Sequence, residues 1–163
     1  MYPSKEEIGA LFIYCPDSGS LFWRKPIANG AQPMLAGYVK KDGYRYISIR
    51  NKKYLAHRLI WILFNGANPD ECIDHKNRDK ADNRIENLRL ATREQNASNS
   101  KTYKTNTTGL KGVSFCKRDK RFIAYITKGG KAKRIGGFST AQEASDAYKK
   151  ASLQINKEFS PFN

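Results

Sequence analysis

Asp74 and His75 adjoin in the chain, and Asn96 follows 21 residues after the histidine. A carboxylate and an amide offer hard oxygen donors, the kind that Mg²⁺ or another hard divalent cation such as Mn²⁺ takes while keeping several waters and a phosphate oxygen. An imidazole with an ordinary pKa of about 6.5 is neutral often enough near neutral pH to accept a proton from water. Phosphodiester hydrolysis needs these functions: an activated water, charge neutralisation at the phosphate and help for the leaving oxygen. In this reading Asp74 and Asn96 hold the ion and His75 acts as the base.

The surrounding pattern supplies elements able to position these groups. A short strand is expected to end at Asp74-His75, a polar loop to follow, and a second strand to cover about Leu88 to Ala91. The box Thr92-x-x-Gln95 starts a helix and places Asn96 just beyond its first turn. Adjacent strand residues point to opposite faces, so the backbone is expected to leave ideal β geometry at Asp74-His75. Asp79 and Asp82 are read as shaping the loop.

Upstream, Ser4-Lys5-Glu6-Glu7 is a capping box that should open a helix running to about Phe12. A strand is expected around Leu21-Phe22-Trp23, then a Pro- and Gly-containing loop over 25–37. Tyr44–Ile49 and Lys53–Ala56 read as a hairpin turning at Asn51-Lys52. The apolar run after His57-Arg58 ends at Gly66, a helix C-cap. His57, placed before that run, is read as a packing or capping histidine.

Residues 98–109 hold almost nothing that could be buried and form the best boundary in the chain. The expected division is a domain over 1–100 with its core at about 40–100, a linker over 101–108, and a domain over 109–163. In the last, Gly112 to Phe138 reads as three strands, and Thr140-Ala141-Gln142-Glu143 caps a helix burying Ala144, Ala147, Tyr148, Ala151 and Ile155. Alternation puts Phe122, Ala124 and Ile126 toward that helix and Arg121, Ile123, Tyr125 and Thr127 on the other face.

Composition narrows the partner. Thirty Lys and Arg against fifteen Asp and Glu give +15 in 163 residues, a self-repulsion that a polyanion relieves. Residues 1–105 carry 18 basic and 11 acidic side chains, and residues 106–163 carry 12 and 4, so the smaller half is the more densely positive. With no strongly basic amphipathic helix and no apolar run near the ~20 residues of a span, a membrane is not expected. The amino terminus lacks a signal pattern, so a cytoplasmic, unsecreted protein fits. Cys15, Cys72 and Cys116 form no C-x-x-C pair, so neither structural zinc nor a disulfide framework is expected. A monomer is expected, with a dimer open.

Taken together, His57-Arg58-Leu59, Asp74-His75, Asn87-Leu88-Arg89 and Asn96 resemble the HNH family, whose nuclease core is a ββα-metal fold. The resemblance covers roughly residues 40–100. It implies an endonuclease of phage or homing type with His75 as general base, Asp74 and Asn96 as metal ligands, and Asn87 orienting the site by hydrogen bonding. Arg58, Arg89 and Arg93 are candidates for phosphate contact. Gly112-Val113-Ser114, Arg121–Ile126 and Ile135–Ala144 resemble the ethylene-response-factor (APETALA-two) DNA-binding domain. That likeness implies a three-stranded antiparallel sheet laid in the major groove of double-stranded DNA, with Ser114, Arg118, Tyr125, Thr127 and Arg134 toward it; Arg121 joins them on the same face. The chain is therefore expected to be an α+β protein: a nuclease core with a β-rich amino-terminal extension, followed by a small sheet-plus-helix domain. The rival readings are a non-catalytic DNA-binding regulator with a degenerate nuclease core, and an RNA-binding protein, although the sheet lacks a ladder of aromatics for stacking single-stranded bases.

Overall fold

A computed structural model describes residues 1–25, 32–102 and 105–163. The chain is α+β and divides into two compact units, Met1–Ala91 and Thr92–Asn163.

The first unit opens with helix α1 (Lys5–Leu11), whose capping box at Ser4 and Glu7 satisfies two orphan amides reciprocally. It runs directly into strand β1 (Phe12–Cys15), which the sequence reading did not anticipate, and β1 pairs antiparallel with β2 (Ser20–Trp23). β1 is short and half-buried, too brief for its alternation to stand out. The loop expected over 25–37 lies partly outside the described residues; its described part makes one isolated bridge, Phe22 to Leu35.

Strands β3 (Tyr38–Val39), β4 (Arg45–Ile49) and β5 (Lys52–Leu55) form an antiparallel sheet in that order. The β4–β5 turn falls on Arg50-Asn51, one residue earlier than expected, and both residues hold positive φ (47° and 63°). This is the primed geometry whose twist matches a two-residue hairpin. Helix α2 (Ala56–Asn65) then stops at Gly66, which takes the left-handed conformation (φ 84°). Ile8, Phe12, Leu21, Ile47, Leu59 and Ile60 are fully or almost fully buried in a core that also holds Ile73 and Leu88. Those last two come from β6 (Cys72–His75) and β7 (Leu88–Ala91), an antiparallel pair seated on this core.

The second unit contains α3 (Arg93–Asn99), β8 (Val113–Cys116), β9 (Arg121–Lys128), β10 (Lys131–Phe138) and α4 (Ala141–Asn156). β9 lies between β10 and β8, all antiparallel, and α4 packs across the sheet through Ala144 and Tyr148 against Val113, Ala124 and Ile126. Ile123 departs from its assignment to an open face: it is 3% exposed. The space above Gly137, its partner on β10, is occupied by Arg134 Nη2, Ile123 Cδ1 and Arg121 Cδ.

The division between the units falls at Ala91–Thr92, ahead of the low-complexity stretch. Within the second unit, polar contacts tie α3 to the sheet. Lys111 Nζ donates to the carbonyls of Ala97 (3.4 Å), Ser98 (2.7 Å) and Ser100, holding the end of α3 against the start of the sheet. Glu94 Oε1 accepts from Gly129 N at 2.7 Å, tying the other end of α3 to the β9–β10 turn. The stretch itself is built rather than featureless where it is described: Asn99 is buried, and Asn106 Nδ2 donates to the carbonyls of Leu110 and Val113. Lys111→Met removes charged hydrogen bonds worth about 2 kcal/mol. The expected outcome is a loss of stability of that order in urea unfolding, with faster amide exchange concentrated in residues 93–99.

Candidate active site

The β6–β7 ladder sets Asp74 opposite Arg89 and His75 opposite Leu88. Contrary to expectation, pairing is regular through both residues, and the chain leaves the strand only after His75. There Arg78 N donates to the His75 carbonyl (2.9 Å) and Arg78 adopts φ 63°. Two interactions hold the ladder: Lys76 N donates to Asn87 O at 2.9 Å, and the Arg89 guanidinium places Nε and Nη2 on Asp74 Oδ2 at 2.9 and 2.8 Å. Asp74 and His75 are each 4% exposed and, by strand alternation, leave opposite faces toward different partners.

The loop between the strands is pinned by its own amides. Asn87 is buried; its Oδ1 accepts from Asn77 N (3.0 Å), and its Nδ2 donates to Asp82 O (2.7 Å) and Asn77 Oδ1 (3.1 Å). Asn87 therefore grips the loop. Asp79 Oδ1 accepts from Ala81 N, while Asp82 is clamped by Arg84 (2.9 and 2.7 Å) and Asn77 Nδ2 (2.7 Å), which hold its carboxyl down to about 2. Both are loop-shaping residues.

The partner of His75 is a residue the sequence reading missed. Asn83 is wholly buried, and its Oδ1 lies 3.0 Å from His75 Nε2. The signal was present only as one more asparagine in a loop crowded with Asp and Asn, where nothing in spacing separates a buried amide from a solvated one. His57 closes another side: its ring stands edge-on to that of His75, centroids 5.1 Å apart, and Tyr44 leans on both at 5.4 and 6.0 Å. Burial lowers the pKa of His75, against the Asn83 hydrogen bond and the nearby carboxylates of Asp74, Asp82 and Asp79, which favour the charged form. The imidazole is therefore a neutral base near pH 7. Burial first, then the charges of His75 and Arg58, push His57 down to about 3.

The remaining expected residues divide by environment. Asn96 lies half-buried on α3 in the second unit, where Arg93 is exposed. Arg58 is engaged by protein: Nη1 donates to Asn68 Oδ1 (2.8 Å) and Pro69 O (2.9 Å), and Nη2 to Glu71 O (3.0 Å), fixing the approach to β6. Arg89, with its side chain 13% exposed, serves Asp74. On the second unit Ser114, Arg118, Arg121, Tyr125, Thr127 and Arg134 are all exposed, Arg118 with Asp119 beside it at 2.9 Å.

Chemically, the first unit offers a hard carboxylate oxygen next in sequence to a neutral, oriented imidazole. Among the described residues no three His, Cys, Asp or Glu converge. An ion at Asp74 would thus draw on water, phosphate or amide oxygen, as Mg²⁺ does, and would share the carboxylate with Arg89.

The depressed histidine has a consequence for stability. His57 takes a proton in the unfolded chain below its ordinary 6.5, but in the folded chain only near 3. Its contribution is thus complete above pH 6.5 and is lost as pH falls toward 3, by about 1.4 kcal/mol per unit. Urea unfolding at pH 5 should give a free energy about 2 kcal/mol below that at pH 7, and His57→Gln should flatten this slope.

Comparison with known proteins adds independent findings. Residues 54–98 match the family model described as HNH endonuclease. Protein 3.8 of Escherichia phage T7 is 38% identical over 76 residues, 46% of this chain and 63% of that protein. An uncharacterized HNH endonuclease of Acanthamoeba polyphaga mimivirus is 30% identical over 128 residues, 77% of this chain and 65% of that one. The chain thus spans just under two thirds of each of these relatives. A solved structure titled for DNA binding and cleavage by the HNH homing endonuclease I-HmuI aligns over 90% of this chain and 85% of its own. Its identity is 20% and its TM-score 0.42. The segment from residue 54 to residue 98 is thus similar to the HNH endonuclease family, and the mimivirus relative that shares 128 residues with the chain bears that family's name.

Proposed function

We propose that this chain is a metal-dependent endonuclease that hydrolyses phosphodiester bonds of double-stranded DNA. One observation carries the reading: the buried, neutral imidazole of His75, fixed by Asn83, stands next in sequence to the carboxylate of Asp74 inside the segment that matches the HNH endonuclease family.

His75 accepts the proton of the attacking water, and burial keeps it in the neutral form that can do so. Asp74 and Asn96 are the residues that the motif assigns to Mg²⁺ or Mn²⁺; when bound, the ion supplies charge stabilisation at the phosphate and the leaving 3′ oxygen. Asn87 keeps the loop closed against the base. The second unit binds DNA through its open sheet face, bearing Ser114, Arg121, Tyr125 and Thr127, with Arg118 and Arg134 adding charge. Its resemblance to the ethylene-response-factor domain and its dense positive charge support this. Arg93 is exposed for phosphate contact, whereas Arg58 and Arg89 reach a phosphate only by exchanging their protein partners. The relative that is viral and the phage protein suit an enzyme acting inside an infected cell, without secretion.

Supercoiled plasmid tests this. The wild-type chain should nick or cut it with Mg²⁺ and not with chelator, and His75→Ala should slow cleavage about 100-fold or more while leaving DNA affinity within a few-fold. DNA binding without any cutting, across Mg²⁺ and Mn²⁺, would favour the regulator instead.

A further inference from the structure

The Asn83 amide can be oriented from its second contact. Its Nδ2 donates to the carbonyl of Ala81 at 3.1 Å, an acceptor that no amide oxygen could face. Oδ1 is therefore the atom turned to His75 Nε2 at 3.0 Å, and an oxygen there requires Nε2 to carry the hydrogen. A neutral imidazole protonated on Nε2 has its lone pair on Nδ1.

What holds Asn83 comes from far away in sequence. The β1–β2 turn lies against its backbone: Gly19 is buried at φ 63°, and a Cβ there would stand 2.2 Å from Arg84 N and 2.5 Å from the carbonyl carbon of Asn83. Only a glycine permits that approach. One strand away, Tyr14 Oη accepts from Ile85 N at 3.0 Å. On the opposite flank Asn87 Nδ2 holds Asp82 O at 2.7 Å. The segment 82–85 is thus clamped between the nuclease loop and the amino-terminal hairpin.

We infer that Asn83 is a positioning residue that fixes His75 as the Nε2–H tautomer, making Nδ1 the atom that takes the proton, and that the β1–β2 hairpin acts as its buttress through Gly19 and Tyr14. The inference rests on the reading of His75 as the base. It gives the amino-terminal extension a role in the chemistry that its sequence does not advertise. An acceptor lost at Asn83 lets the imidazole rotate or change tautomer, which affects the proton transfer and not the grip on DNA.

The chain labelled with ¹⁵N-histidine tests this without substrate, and its two histidines need assigning. Near neutral pH His75 should show a protonated, pyrrole-type Nε2 and an unprotonated, pyridine-type Nδ1. Asn83→Leu should lose that pattern and lower kcat about 100-fold with KM for DNA within about two-fold, while Asn83→Asp, which keeps an acceptor, restores both in large part. Gly19→Ala, remote from the reacting atoms, should lower kcat about ten-fold in the same way. A proton on Nδ1 in the wild type overturns the inference, as does wild-type kcat in Asn83→Leu. If Asn83→Leu does not fold, the wild-type spectrum and Gly19→Ala decide. Should the wild-type chain cut no DNA, the nuclease reading fails while the tautomer remains measured on its own.

Discussion

One hydrogen bond, from a buried imidazole to a buried amide, is the contact on which the candidate chemistry depends. A neutral histidine that donates one ring N–H to a fixed acceptor has a defined basic atom; without that acceptor its two tautomers exchange and the basic nitrogen is not fixed. Everything around His75 serves that definition. His57 and Tyr44 wall the ring with aromatic surface. The Asn77–Asn87 network keeps the loop from opening, and the amino-terminal hairpin backs the segment that bears Asn83. Such a buried polar network is stable only when each member is satisfied, and no side-chain polar atom buried among the described residues lacks a partner.

Much of the fold was legible in the sequence because local rules dominate it. Three capping boxes, at Ser4, Thr92 and Thr140, mark helix starts correctly, and Gly66 marks a helix end. Asp74, His75 and Leu88–Ala91 fall on the strands that spacing assigned. What escaped depends on tertiary contact. β1 is defined by its pairing with β2, and the burial of Ile123 goes with a bulge in β10 between Arg134 and Gly136 that alternation does not encode. The reach of Lys111 to three carbonyls at the end of α3 is likewise encoded by no periodicity.

The site shows the same split. Residue type and motif single out Asp74 and His75 as candidates; they do not say which amide meets the histidine. Asn77, Asn83 and Asn87 are chemically identical in the sequence, and only the fold separates the amides that grip the loop from the one that meets His75. Likewise Arg58 and Arg89 are candidates for phosphate contact in the sequence, which does not tell that their guanidiniums lie on protein oxygens. The charge surplus is left to the exposed residues, above all those of the second unit's sheet.

Chemical rescue is the most direct measurement of the central claim that the imidazole at position 75 takes the proton. His75→Gly leaves a hole where free imidazole can diffuse in while the rest of the network stays in place. The account predicts that cleavage by His75→Gly is slow, rises with added imidazole and does so only in that variant. Cleavage by His75→Gly at the wild-type rate, unmoved by imidazole, would contradict it.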